Sequence, residues 1–435
     1  MFKFKHGLFL LMAVLTVGPW LLAGCEKEGF VSDDCSLKLE FSTDTLAFDT
    51  VFTTIGTTTR MVTVYNRTKE NLRLSTVTLA SGTASRFRMN VDGDTSLTAR
   101  DIEIEAGDSI FIFVQANINP SDATTPFLVE DAIVFGNGQR LVLTAWGRNA
   151  VYHRLLPTDS TWFSVIDCEN WDHTRPHVFL DPAAVLDGHT LSLRDGDELY
   201  FGDGAMLIID SNAHLRAQGT EEQPVLFTSL RHDGWYEFLP GQWLMVWFYN
   251  YSTGNLIDHA VVENAVGGLR CYPGSQLTVS NTVIRNMSDC GIVGQGASVT
   301  GRNLLVYDCL ADVTVLLGGN YDFRGCTFAN YWTYTARKIE NIVLSNNLIV
   351  GETVTGGNLL KADFRDCIIW GTYNKEVLTS ELEGYSMNYN FDLHSIVKGG
   401  SWSEDPLFTD PREDDYTLQD DSPAQGIGYQ FPSEN

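Results

Sequence analysis

The chain has 435 residues, 44% of them hydrophobic and 19% charged, enough to bury more than one sizeable core. Asp and Glu number 55 against 29 Lys and Arg, a formal charge of −26. Such a surface repels phosphate backbones, which excludes nucleic acid as a partner, and it disfavours unaided binding of polyanionic glycans.

Lys3 and Lys5 precede an apolar stretch from Leu8 to Trp20, followed by Leu22-Ala23-Gly24-Cys25. The stretch is shorter than the roughly 20 residues a permanent membrane helix needs, so 1–24 reads as a signal peptide. Residues 25–35 are polar and acidic and suit a tether. From 36 to 150, runs rich in Val, Ile, Phe and Thr are split by Gly, Asn and Asp turns, which argues a β-sandwich. Phe135-Gly136-Asn137-Gly138-Gln139 marks a hairpin. Residues 151–186 read as a connector and cap. Asp167, Glu169, Asp172, His173 and His177 follow no metal-ligand spacing there, and no metal or cofactor is expected in the chain.

Between Asn255 and Trp370 the chain repeats itself. Aligning 256–264, 279–286, 301–308, 323–330, 344–351 and 364–371 gives a column of His259, Asn281, Asn303, Cys326, Asn347 and Cys367, spaced by 22, 22, 23, 21 and 20 residues. Two residues on stands a wholly apolar column, Val261, Val283, Leu305, Phe328, Ile349 and Ile369. A period of this size without a helical pattern predicts a solenoid of stacked strands over 187–400, its coils about 4.8 Å apart. The first column is expected to point inward as a structural ladder that hydrogen-bonds the backbone. On this register Cys326/Cys367, Asp322/Asp363 and Asp308/Glu352 are each two coils, about 9.6 Å, apart. That is too far for a disulfide and at the limit for a glycosidase carboxyl pair. Cys290 and Cys309, near one coil apart, could bridge. Residues 401–435 are read as the cap and tail closing the solenoid.

Several stretches resemble known families. Leu-Ala-Gly-Cys is similar to the bacterial lipobox, which implies lipidation of Cys25. "VTVYN", "GDSIFIFV" and "LTAWG" resemble immunoglobulin-like domains of the abnormal-spindle and hydin type. Gly219, Thr220, Pro224, Val225 and Phe227, then Pro240, Gly241, Gln242 and Trp243, resemble the opening coils of right-handed parallel β-helix lipoproteins of Bacteroidetes-type bacteria. Asp405-Pro406-Leu407-Phe408, Asp415-Tyr416-Thr417-Leu418 and Ser422-Pro423-Ala424 resemble the ending of such proteins. The resemblance implies an all-β chain, an immunoglobulin-like β-sandwich followed by a right-handed parallel β-helix, held at the outer membrane through a lipid anchor and displayed at the cell surface, with the periplasmic face as the alternative.

Aromatic residues crowd 235–251, and Trp235, Tyr236, Tyr251, Tyr331 and Trp332 are the candidate glycan-stacking residues. Trp243 and Trp247 are read as packing residues. No catalytic residue is assigned. The leading reading is a protein that binds glycan or an envelope partner without catalysis. The alternatives are a polysaccharide lyase or glycoside hydrolase and a purely structural envelope protein.

Overall fold

The computed structural model describes residues 29–431 apart from 37, 122, 124, 157–159, 232 and 233. The expected signal peptide and the expected lipidation site, Cys25, lie outside the described residues. The chain divides into two compact units, Met1–Asn149 and Ala150–Asn435.

In the first unit two sheets enclose one core. One runs in the order Val31–Ser32, Leu72–Leu79, Phe127–Phe135, Arg140–Arg148, Thr45–Phe52, with Thr98–Ile104 also on Leu72–Leu79. The other runs Glu40–Phe41, Arg60–Tyr65, Ser109–Ala116, Phe87–Val91. Alternate residues of each strand point inward, as along Ser109–Ala116, where Ile110, Ile112, Val114 and Ala116 are buried and their neighbours exposed. The expected hairpin forms: Arg140 pairs Val134, and Gly138 takes the positive φ (84°) of its turn.

In the second unit each regular coil has three strands. In one coil these are Asn255–Asp258, Ala260–Glu263 and Leu269–Cys271. Each pairs in parallel with its counterparts one coil before and after. Leu256 lies between Arg216 and Thr278, Val261 between Leu226 and Val283, and Arg270 between Trp247 and Val293. The three stacks of strands make a first, second and third face around a core that includes Ile257, Val262 and Leu269. At the corner between first and second faces the backbone is left-handed at His259 (φ 49°), Asn281 (48°), Asn303 (50°), Gly325 (59°) and Asp366 (51°). The next corner repeats this at Asn264, Asn286 and Asp308. That conformation costs most side chains about 1–2 kcal/mol and Asn, Asp and Gly less, so the corners recur as those residues.

The structure corrects the aligned register. Leu305 pairs Thr327, and Phe328 pairs Ile369. The corner column therefore runs 259–281–303–325–366, and Cys326 and Cys367 sit one position on, fully buried on neighbouring coils. Asn347 is not in the column. It opens a hairpin, Asn347–Val350 against Thr353–Gly356, inside one long coil whose regular strand is Ile342–Ser345 on the third face. Nor do His259, Asn281 and Asn303 point inward; they are only partly buried. In the apolar column, Phe328 and Ile369 face the core, Val261, Val283 and Leu305 face outward, and Ile349 is 64% exposed on the hairpin.

The outward apolar strip has a partner in the tail. Phe408, Tyr416 and Ala424 pack on Leu305, Tyr307, Ala329, Ile368 and Trp370 of the second face. The chain then descends the corner: Gly428 donates to the Asp366 carbonyl, Tyr429 N–H to Thr327 Oγ1 (2.9 Å) and Gln430 N–H to Asn303 Oδ1 (2.8 Å). The tail is thus a strap along the flank, not an end cap. The other end also departs from expectation. Val151–His153 pairs with His177–Phe179, so 151–186 already winds as coils rather than as a connector. There an aromatic stack runs His153, Phe179, Phe201, Trp243, with ring centroids 4.3, 4.6 and 4.2 Å apart.

Candidate functional site

Beside Tyr429, Gln430 and Phe431 of the strap lies a cavity of about 400 Å³ at the corner between the first and second faces. Val261 and Val283 form its apolar floor, His259, Asn281 and Asn303 one side, Thr220 and Glu221 an end, and Tyr429, Gln430 and Phe431 the wall. The polar side is a hydrogen-bonded rail. Asn303 Nδ2 donates to Asn281 Oδ1 (2.9 Å), and Asn281 Nδ2 to Asp258 Oδ1 (2.8 Å), which also accepts from Ser280. Asp258 Oδ2 is 3.2 Å from His259 Nδ1, which leaves Nε2 without a partner among the described residues. Each amide spends one of its two N–H bonds along the rail, so the second is available to a ligand. Burial, reinforced by Glu221, raises the Tyr429 phenol above its usual range and keeps that wall uncharged. Among the described residues no Lys or Arg lines the cavity. The arrangement suits a neutral, hydroxyl-rich ligand with one apolar face.

The five candidate stacking residues are not brought together. Trp235 (76% exposed) and Tyr236 lie on the loop containing Gly234–Phe238. Tyr236 is covered by Arg231, 3.3 Å from its ring centroid. Tyr251 (65% exposed) stands on the corner between third and first faces. Tyr331 packs against Tyr416 under the strap, and Trp332 is buried with its Nε1 on Thr335. Trp243 is a packing residue as expected, fully buried with Nε1 on the Glu263 carbonyl (2.9 Å). Trp247 instead faces outward on the third face.

The carboxylates also move. Asp322 pairs directly with Asp363 on neighbouring strands, about 4.8 Å apart rather than twice that. This does not make an acid. Burial works the other way, yet Lys361, Arg365 (2.6 Å) and Arg302 (2.8 Å) hold Asp322 down to about 2, leaving no proton to donate near neutrality. Asp308, at the second corner, is pushed up to about 7 by burial and then by Asp414 of the strap, while the Tyr331 N–H (3.2 Å) opposes the shift. Asp308 and Asp414 hydrogen-bond each other, closer than the separation a glycosidase pair needs to admit substrate. Glu352 lies in the hairpin turn, away from Asp308's column.

Cys290 and Cys309 do not bridge; both are free thiols, and Cys290 Sγ lies 3.2 Å from Thr314 Oγ1. Asp172 binds Thr174 and Arg175, His173 binds Asp197, and His177 is buried against His153. Asp366, Asp392 and His394 approach one another within 4.8 Å. Arg324 already pairs with Asp366, and Ser395 with Asp392.

No family model and no curated protein matches the chain. Among solved structures it is similar to the catalytic unit of a thermostable GH87 alpha-1,3-glucanase from Streptomyces thermodiastaticus strain HF3-3. The identity is 10% over 76% of this chain and 78% of that one, with a TM-score of 0.23. A second similarity is to the catalytic domain of a GH87 alpha-1,3-glucanase in complex with tetrasaccharides, at 10% identity over 79% and 91% and a TM-score of 0.12. Superpositions this loose carry no argument about chemistry.

Proposed function

We propose that this is a lipid-anchored envelope protein that binds glycan without catalysis, in the pocket between the Asn rail and Tyr429, Gln430 and Phe431 of the strap. The observation that carries it is that pocket, where side-chain amides with N–H bonds to spare face an aromatic wall across an apolar floor. This is the composition a pyranose ring needs, hydroxyls toward amides and C–H face toward a ring. Cys25 carries the anchor, and residues 36–150, immunoglobulin-like in this reading, are the spacer. The coils wind right-handed, as β-strand crossovers overwhelmingly do. The engaged or crowded carboxylates at Asp322 and Asp308 favour binding over hydrolysis.

The test titrates the full chain in detergent with neutral polysaccharides. Saturable binding is expected without chain shortening or unsaturated products. Asn281→Gly keeps the left-handed backbone and removes the amide, and with His259→Ala it weakens binding about tenfold or more while the melting temperature holds. Turnover overturns the non-catalytic reading, and absence of binding overturns the glycan reading.

A further inference from the structure

On the third face, Trp247 and Arg270 are paired neighbours on adjacent strands, both pointing outward. Tyr272 and Tyr249 close around Trp247, their ring centroids 5.1 and 5.3 Å from it. Tyr251 stands exposed at the corner beyond. Three polar atoms in this patch are buried without partners: Trp247 Nε1, Arg270 Nε and Asn250 Oδ1. Among the described residues Arg270 has no hydrogen-bond or ion-pair partner, in a chain whose acidic residues outnumber basic ones by 55 to 29. Arg302, Arg324, Arg337 and Arg365, by contrast, each hold a carboxylate. A half-buried guanidinium loses hydration and recovers it only from an acceptor that fits its fork.

We infer that this patch is a subsite for an acidic sugar, with the sugar carboxylate on the Arg270 guanidinium and the pyranose face against Tyr272 or Tyr249. A carboxylate accepts two parallel hydrogen bonds from one guanidinium, and aromatic rings supply the apolar contact that a free inorganic anion would not use. The chain's net charge of −26 repels a polyanion at long range, so the fit is to an isolated or terminal acidic residue in an otherwise neutral glycan. The assignment rests on the glycan-binding reading but uses a different face from the Asn rail, so each can fail alone.

The experiment titrates the full chain with an oligosaccharide ending in glucuronic acid and with the same oligosaccharide ending in glucose. The acidic form is expected to bind about tenfold or more tightly, the scale of a charge-assisted hydrogen bond. Arg270→Gln levels the two, and Arg270→Lys, which keeps charge without the fork, retains only part of the preference. Asn281→Gly leaves the preference intact. Equal affinities in the unaltered chain, binding of neither form, or a preference that survives in folded Arg270→Gln or is undiminished in Arg270→Lys overturns the subsite. The pocket reading stands or falls separately, on neutral polysaccharides and Asn281→Gly.

Discussion

The coils from Asn255 to Arg324 and the single coil from Thr327 to Arg365 are built from the same strands to different rules. In the first stretch the corner residues His259, Asn281 and Asn303 recur every 22 residues; Asn303 bonds Asn281, and Asn281 and His259 meet on Asp258. In the second, 41 residues separate Phe328 from its partner Ile369, and the excess goes into the loop around Arg337 and the hairpin at Asn347. A regular period turns the same chemical group outward at the same height on coil after coil, which is how a rail forms. An irregular coil breaks the rail but gains loops with interactions of their own. Arg337 in that loop is buried against Glu376 of the following coil.

The contrast can be broken in several ways. The largest effect is expected at the first coils, where His153 continues a stack that is otherwise Phe and Trp. Burial, and then the neighbouring His177, holds His153 at about 3; burial holds His177 at about 4. Both lie below the unfolded value near 6.5, so the unfolded chain binds more protons and stability falls as pH drops below 6.5. At about 1.4 kcal/mol per unit per histidine, the loss by pH 4.5 is on the order of 5 kcal/mol. Melting temperatures between pH 7.5 and 4.5 should show it, with His153→Phe halving the slope. A flat profile would place these rings in water.

Glu376→Ala strands the Arg337 charge in the long coil and should cost about 3–5 kcal/mol in denaturant unfolding. The register is tested by two isoleucines that the repeat alignment treats as equivalent. Ile369→Ala should cost about 2–5 kcal/mol and Ile349→Ala under about 0.5. Equal losses would restore the aligned register. The smallest effect separates backbone from side chain in the rail: Asn281→Ala should lower stability by about 1 kcal/mol through its left-handed φ, and Asn281→Gly by less.

The period and the solenoid were legible because burying a repeating strand leaves a repeating pattern. The hairpin at Asn347 was not. Its Leu-Ser-Asn-Asn-Leu-Ile-Val reads like another coil, since an exposed hairpin and a buried strand both favour β-branched residues. The slip moved Cys326 and Cys367 into the corner column and made Asp322 and Asp363 look distant. The second corner is written in the sequence too, since the aligned segments end in Asn264, Asn286, Asp308 and Asn330. The direction of Val261, Val283 and Leu305 could not be read at all, because an apolar residue covered by a strap and one facing a core look alike. Tyr429 and Phe431 gave no hint of the pocket, since the strap's path is set by contacts more than a hundred residues away along the chain.

That separation bears on when the protein becomes competent. Gln430 reaches Asn303 across 127 residues, and Tyr429 reaches Thr327 across 102. Stacked coils can form neighbour by neighbour as the chain emerges, but the wall of the cavity arrives only with the last stretch described. A nascent molecule would hold a complete rail with nothing opposite it, so the cavity is completed only when the strap docks.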